Sequence, residues 1–118
     1  MARRSAIVLA AAVLTVLLVP AIPAAAGGGC HSGGTQGTGD TVELIDACPT
    51  PTILTIDPGG TVSFVNKDPF PHTVTSAGNF DSKEIAAGKT WKYTAKKAGR
   101  FDYICTLHPN MKGTLVVE

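Results

Sequence analysis

The sequence predicts an all-β domain, an antiparallel β-sandwich, and three observations support this prediction. Short segments that alternate polar and apolar residues recur along the chain after residue 40. Turn residues such as glycine and proline separate these segments at intervals typical of sandwich strands. The same stretch contains no segment with the 3.6-residue period of an amphipathic helix.

Seven segments have the pattern of strands, and turn signals separate them. The first alternates clearly at residues 41–45 (TVELI), and the second does so more loosely. The turn signal DPGG precedes the third, and Ala-Gly pairs precede the fifth and the sixth. The predicted strands are residues 41–45, 52–56, 61–65, 72–75, 90–94, 100–105 and 114–117.

The first 26 residues have the features of a secretory signal peptide. Arg3 and Arg4 form a positively charged n-region, and an uncharged apolar run covers residues 6–19. The alanines at 24–26 provide a small-residue cleavage site. An uncleaved anchor is the alternative, but this run is short for a spanning helix, which needs about 20 residues. We therefore expect export to the periplasm, the cell surface or the medium, with no stable membrane insertion after cleavage.

The rest of the chain is predicted to hold one small domain. Residues 27–39 are rich in glycine, serine and threonine and are expected to form a flexible leader, and residues 40–118 the folded domain. Loss of the two arginines in the signal segment changes the formal net charge from +1 to about −1, since eight basic and nine acidic residues remain. This balance gives no support to binding of nucleic acid or other polyanions.

Three cysteines in an exported chain leave one without a disulfide partner. Cys30 and Cys48 are the expected pair, and closing a loop of this length stabilises a small domain by about 3 kcal/mol in the chain-entropy view. Cys105 is then the remaining thiol. Binding a metal would protect it as a thiolate in an oxidising compartment.

Cys105 opens a seven-residue stretch, CTLHPNM, in which metal-ligand side chains recur every three residues. Cys105, His108 and Met111 supply a thiolate, an imidazole and a thioether. A blue-copper site uses two histidines and one cysteine, with a weak, long bond to an axial methionine. The stretch therefore needs one more histidine from elsewhere in the chain.

His72 is the best candidate for that histidine. It follows prolines at 69 and 71, which restrict the loop before a predicted strand. His31 lies in the glycine-rich leader and is interpreted as a solvated residue, with an auxiliary metal role left open. A structural alternative is that His72 caps a turn and Met111 fills the core. It is disfavoured because four candidate ligands of three chemical types coincide in an exported β-domain, and one of them is a cysteine that is otherwise unexplained.

From about residue 41 to its end, the chain resembles the cupredoxins, and its short ligand loop is most similar to that of the amicyanins. The resemblance is carried by residues 65–72 (VNKDPFPH), residues 99–105 (GRFDYIC) and the C-x-x-H-x-x-M loop. It implies a Greek-key β-sandwich with one type 1 copper at one end. The ligands that it implies are His72, Cys105, His108 and Met111.

Two departures from the family pattern lie beside these ligands. Many cupredoxins follow the first ligand histidine with asparagine, whose side chain tethers the two ligand loops, whereas this chain has Thr73. The threonine hydroxyl is expected to take over part of that tether. Amicyanins have proline before the second ligand histidine, whereas this chain has Leu107. Its N–H is expected to point toward the Cys105 sulfur.

Four ligands leave no open position for a substrate, so we predict an electron carrier rather than an enzyme. Multicopper oxidases and copper nitrite reductases resemble cupredoxins but need histidines beyond the three in this chain. The resemblance implies a redox donor and acceptor that dock on an apolar patch at His108, Phe70 and Pro109. The alternative function is copper handling, meaning delivery or protection without a redox-carrier role. A structural or adhesive β-domain is a third hypothesis, which the ligand set argues against.

Overall fold

Ten short strands and no helix make up the part of the chain that the structure describes. The computed structural model describes residues 12, 30 and 34–118. The strands are β1 (Gln36–Thr38), β2 (Thr41–Ile45), β3 (Cys48–Thr50), β4 (Ile53–Ile56), β5 (Thr61–Asn66), β6 (Thr75–Ser76), β7 (Phe80–Asp81), β8 (Thr90–Thr94), β9 (Gly99–Ile104) and β10 (Lys112–Val117). The all-β prediction is confirmed, and β1, β3 and β7 add to the seven predicted strands.

The strands form two sheets that face each other across one core. One sheet has six strands in the order β1–β4–β10–β9–β6–β7, and the other has four in the order β3–β2–β5–β8. Three pairings, β1 with β4, β4 with β10 and β2 with β5, are parallel. The sandwich is therefore mixed rather than purely antiparallel. Parallel pairing arises because the chain crosses to the opposite sheet between the two strands of each pair and re-enters the original sheet at the same end.

Alternation along the strands places one side of each sheet in the core. Val42 and Leu44 point inward from β2, whose other residues are exposed. Phe64 on β5 is fully buried, with its ring centroid 5.7 Å from that of Trp91 and 5.5 Å from that of Tyr103. Burying an apolar side chain of this kind contributes about 1.5–3 kcal/mol. Phe64 and Tyr103 thus belong to the core, and Trp91, Tyr93 and Phe101 are partly buried against it.

The N-terminal boundary of the folded part differs from the prediction. Residues 36–38, assigned to the flexible leader, form β1 and pair in parallel with β4. The alternation pattern does not reveal such a strand, because backbone hydrogen bonding to a sheet edge needs no apolar side chains. A disulfide joins Cys30 to Cys48, as predicted.

Some predictions for the start of the chain fall outside the described residues. These are the signal peptide at residues 1–26, apart from residue 12, and the role of His31. They stay predictions. Across the described residues, the structure contains no helix of the length and apolar character that a membrane crossing requires.

Two loops meet at one end of the sandwich. β9 and β10 are antiparallel and pair Ile104 with Lys112, so the residues between them form a closed loop at that end. β6 pairs with β9 at Thr75 and Ile104, which brings the segment after Asn66 to the same place. Every residue predicted to bind copper lies in one of these two loops.

Candidate metal centre

The loop from Cys105 to Met111 is closed by its own backbone. The Cys105 N–H donates to the Met111 carbonyl oxygen at 3.0 Å, and the Met111 N–H donates to the His108 carbonyl oxygen at 2.8 Å. The His108 N–H donates in turn to the Cys105 carbonyl oxygen at 3.3 Å. Two of these three hydrogen bonds therefore span the same three-residue interval that separates the ligand types in the sequence, and the third closes the whole loop.

His72 is fixed by backbone bonds to one residue rather than by a continuous strand. Its N–H donates to the Ile85 carbonyl oxygen at 3.1 Å, and its carbonyl oxygen accepts the Ile85 N–H at 2.7 Å. These bonds form an isolated bridge, so the strand predicted at 72–75 is reduced to this bridge and the short β6. The Phe70 ring lies edge-on to the imidazole, with centroids 5.2 Å apart. Since His72 is also fully buried, its imidazole has little freedom to turn.

Three donor atoms converge at this end of the sandwich. The Nδ1 atoms of His72 and His108 each lie 3.7 Å from the Cys105 Sγ, and the three donors lie within 4.8 Å of one another. His72 and Cys105 are buried, whereas His108 is partly exposed. Metal–sulfur and metal–nitrogen bonds of about 2.3 and 2.0 Å, meeting at about 110–120°, would separate such donors by about 3.5–3.8 Å. The two observed sulfur–nitrogen distances therefore fit one shared metal ion.

Met111 ends the same loop and is 1% exposed. Its side chain is therefore enclosed by the protein, at the end of the loop that carries Cys105 and His108. Two imidazoles, a thiolate and a methionine are the donor set of a type 1 copper site. Carboxylate and carbonyl oxygens, which magnesium and calcium prefer, are not among these donors. The site is suited to one copper ion.

The carboxylate of Asp68 faces the opposite side of the His72 ring. The His72 Nε2 lies 2.7 Å from the Asp68 Oδ2, and the N–H groups of Asp46 and Ala47 donate to Oδ1 and Oδ2 at 2.8 and 2.9 Å. Burial acts to raise the pKa of Asp68, but hydrogen bonds from Ala47, His72 and Asp46 outweigh it and hold the pKa below its usual value. An ionised Asp68 fixes the imidazole proton on Nε2, which leaves the Nδ1 lone pair facing the sulfur.

Asn66 holds the loop that leads to His72. Its amide group donates to the carbonyl oxygens of Phe70 and Ile85, both at 2.9 Å, and its side-chain oxygen accepts the Asp68 N–H at 3.0 Å. Asn66 is fully buried, so these three bonds replace the ones that water would otherwise make. One side chain thus fixes the path of the loop and the position of Asp68.

The Cys105 sulfur accepts a hydrogen bond from the neighbouring loop. The Thr73 N–H donates to Sγ at 3.3 Å. The sequence predicts Leu107 as the donor to this sulfur, and this prediction is wrong, since the donor is Thr73. Because His72 lies beside the sulfur, the N–H of the next residue, Thr73, comes within hydrogen-bonding distance. The Thr73 hydroxyl accepts the Thr106 N–H at 2.8 Å. It therefore ties the two ligand loops together, as expected from the sequence.

The proposed donors are evident in the sequence, but the residues that hold them in place are not. The structure brings His72, Cys105 and His108 together and places Met111 at the end of their shared loop. No role is assigned from the sequence to Asn66 or Asp68. A signal was nevertheless present, because a carboxylate four residues before a ligand histidine, in a loop with two prolines, is well placed to bond its other ring nitrogen.

The chain matches a known protein family over most of its length. The family model described as the cupredoxin-like domain matches residues 9–117. The chain belongs to this family. Among curated cupredoxin relatives, amicyanin of Paracoccus versutus is 35% identical over 71 residues, which cover 55% of this chain and 54% of that protein. The chain thus spans about half the length of the curated relatives it matches.

Solved structures confirm the predicted cupredoxin fold. An oxidised variant of amicyanin superposes with a TM-score of 0.64 and 27% identity, covering 67% of this chain and 81% of that one. The copper-containing nitrite reductase NirK of Thermus scotoductus SA-01 superposes with a TM-score of 0.63 and 30% identity, covering 67% of this chain and 22% of that one. The cupredoxin domain thus has counterparts both in a small protein and in part of an enzyme.

Proposed function

We propose that this chain is an exported blue-copper electron-transfer protein with one mononuclear type 1 site. The proposed ligands are His72, Cys105, His108 and Met111. The observation that carries the proposal is the convergence of two imidazole Nδ1 atoms on one buried thiol, each at 3.7 Å. Copper bound there supplies a Cu(I)/Cu(II) couple that takes up and releases one electron.

The surroundings of the donors favour a carrier over a copper-delivery protein. Asp68 and Asn66 hold the His72 loop, and the Cys105–Met111 loop is closed by its own backbone bonds. Ligands that keep their positions when the charge of the ion changes lose little energy to rearrangement, which favours rapid electron transfer. A delivery protein must instead open its ligands to release the ion.

The proposed ligand set also favours a carrier over an enzyme. Four protein ligands fill the coordination positions, whereas catalytic metal sites keep one position open for water or substrate. The similarity to a nitrite reductase concerns 22% of that chain. We therefore propose electron transfer without a chemical reaction at the site.

An apolar surface around His108 is the proposed contact for redox partners. Phe70 and Leu107 are 40% and 43% exposed, and Pro109 is exposed in the same loop. The rings of Phe70 and His108 lie 5.5 Å apart between centroids. Redox complexes bury little surface, so a small apolar patch at the one partly exposed ligand histidine suits a brief encounter with a donor or an acceptor.

The first test is the visible absorption and EPR spectrum of the exported protein after addition of one equivalent of Cu(II). We expect an intense blue thiolate-to-copper band and narrow copper hyperfine splitting, both lost in Cys105→Ser. Thr94→Val, an exposed change on β8, is the matched control and should keep both signals. A pale spectrum that does not depend on Cys105 would contradict the proposed ligands.

Electron self-exchange separates the carrier from a copper-handling protein. We expect reversible reduction and fast exchange between the Cu(I) and Cu(II) forms, measured by NMR line broadening in mixtures of the two. Slow exchange together with ready loss of copper to a chelator would favour delivery or protection instead.

A further inference from the structure

The turn between β2 and β3 has a backbone conformation that one of its two residues does not favour. Asp46 and Ala47 have φ angles of 52° and 53°, in the left-handed region that a two-residue hairpin turn requires; aspartate tolerates this region, whereas alanine does not favour it. A left-handed conformation is unfavourable for alanine and persists only where the surroundings of the residue enforce it. Something must therefore hold this turn in place.

Two contacts hold the turn, one on each side. The carboxylate of Asp68 accepts the N–H groups of both turn residues, at 2.8 Å on Oδ1 and 2.9 Å on Oδ2. Cys48, the residue that follows the turn, is joined to Cys30 by the disulfide. The turn is thus bonded to a buried carboxylate and covalently fixed where β3 begins.

The same carboxylate orients a proposed copper ligand. Asp68 Oδ2, which accepts the Ala47 N–H, also lies 2.7 Å from His72 Nε2. Asp68 is 6% exposed and His72 is fully buried, so water has little access to replace these bonds. If the Asp46–Ala47 turn moved, the Asp68 carboxylate would lose two of its three hydrogen-bond donors. The carboxylate would then either move with the turn or rotate toward solvent.

We propose that Asp68 is a positioning residue for His72 and that the Cys30–Cys48 disulfide, acting through the Asp46–Ala47 turn, keeps Asp68 in position. This inference rests on the proposed copper site. It adds a local role to the disulfide beyond its general effect of restricting the unfolded chain. A hydrogen-bonded carboxylate makes a ligand histidine a better donor, which favours Cu(II) over Cu(I).

Three variants test the proposal through the reduction potential and the Cu(II) affinity. Asp68→Asn should raise the potential and weaken Cu(II) binding by about 10–100-fold. Replacing both cysteines, Cys30→Ser with Cys48→Ser, should change both quantities in the same direction by a smaller amount. In the variant carrying all three changes, loss of the disulfide should have almost no further effect, because its action passes through Asp68.

Val117→Ala is the matched control for lost stability. It removes volume from the core on β10, at the end where Val117 pairs with Gly99, away from the ligand loops. We expect a lower denaturation midpoint with an unchanged potential. An equal potential shift in this control would overturn the proposal, because it would show that destabilisation alone moves the potential.

Amide hydrogen exchange in the metal-free protein tests the same link without copper. Loss of the disulfide should speed exchange at Asp46 and Ala47 while exchange at Val42 in the core of β2 stays slow. Unchanged exchange at the turn, or a disulfide effect on the potential that persists in full in Asp68→Asn, would overturn the proposal. Failure of the unsubstituted protein to form a blue site would instead contradict the proposed function, and the exchange result would still stand by itself.

Discussion

The phenol ring of Tyr103 lies directly over Gly113. The two residues face each other across β9 and β10, and a Cβ atom on Gly113 would overlap the Oη, Cζ and Cε2 atoms of the ring. Tyr103 is 3% exposed. Glycine is therefore required inside this strand to leave space for the ring, not to form a turn.

Gly113→Ala should destabilise the domain by about 1–3 kcal/mol or more, because overpacking forces the ring or the strand to move. The denaturant midpoint of the metal-free protein measures this. Gly34→Ala is the control, since the nearest atom to an added Cβ there is 3.9 Å away, and it should change the midpoint little. An equal loss in both variants would contradict the steric explanation.

Tyr103→Phe should stabilise the domain by about 1 kcal/mol. The buried Tyr103 hydroxyl has no hydrogen-bond partner among the described residues, and an unsatisfied buried polar group costs about 1–3 kcal/mol. Urea unfolding of the two proteins gives the difference. Tyr93→Phe, at a partly exposed ring, is the control and should be near neutral. A clear loss of stability in Tyr103→Phe would show that the hydroxyl has a bonding partner in solution.

Thr73→Val should loosen the connection between the two ligand loops. The change leaves the Thr106 N–H without its acceptor, and because Thr106 is exposed we expect a cost of about 0.5–1.5 kcal/mol. Thr73→Asn restores an acceptor and should recover most of the stability. Thr94→Val breaks only an exposed contact between hydroxyl groups and should cost less than about 0.5 kcal/mol. Thermal melting of the metal-free proteins tests this order.

Asn66→Ala should be the most damaging polar substitution near the site. It leaves the carbonyl oxygens of Phe70 and Ile85 and the N–H of Asp68 without their partner, so we expect a loss of about 3 kcal/mol or more. Asn79→Ala removes a bond to the Ser76 hydroxyl near the surface and should cost far less. Similar midpoints for the two variants, measured by chemical denaturation, would contradict the role assigned to Asn66.

Leu107→Glu should slow electron self-exchange about tenfold or more at low ionic strength, because two like charges would meet in the encounter complex. Added salt should restore part of the rate by screening. Thr94→Glu adds the same charge to an exposed site on β8 and should leave the rate nearly unchanged. Equal slowing in both variants would argue against the patch at His108 as the contact surface.

Strand β2 shows what the sequence predicts well. Its bounds agree with the prediction because a half-buried strand must alternate polar and apolar residues. The meeting of the proposed donors His72, Cys105 and His108 at one place was also predictable, since each carries its chemistry in a single side chain. The hydrogen bond between the Asp46 N–H and the Asp68 carboxylate was not predictable. It joins a backbone N–H to a carboxylate 22 positions away, and such contacts leave no periodic or local pattern in the sequence.

The parallel pairing of β4 with β10 has a consequence for the order of assembly. Ile53 pairs with Thr114, although most of the domain's sequence lies between these two residues. Contacts between residues so far apart in the sequence form slowly, because a long loop must close first. His72 and Cys105, 33 positions apart, come together only when the sheets have formed. The proposed copper site is therefore complete only in a folded domain. For the exported protein that we propose, the supply of copper must exist where folding finishes, not where the ribosome makes the protein.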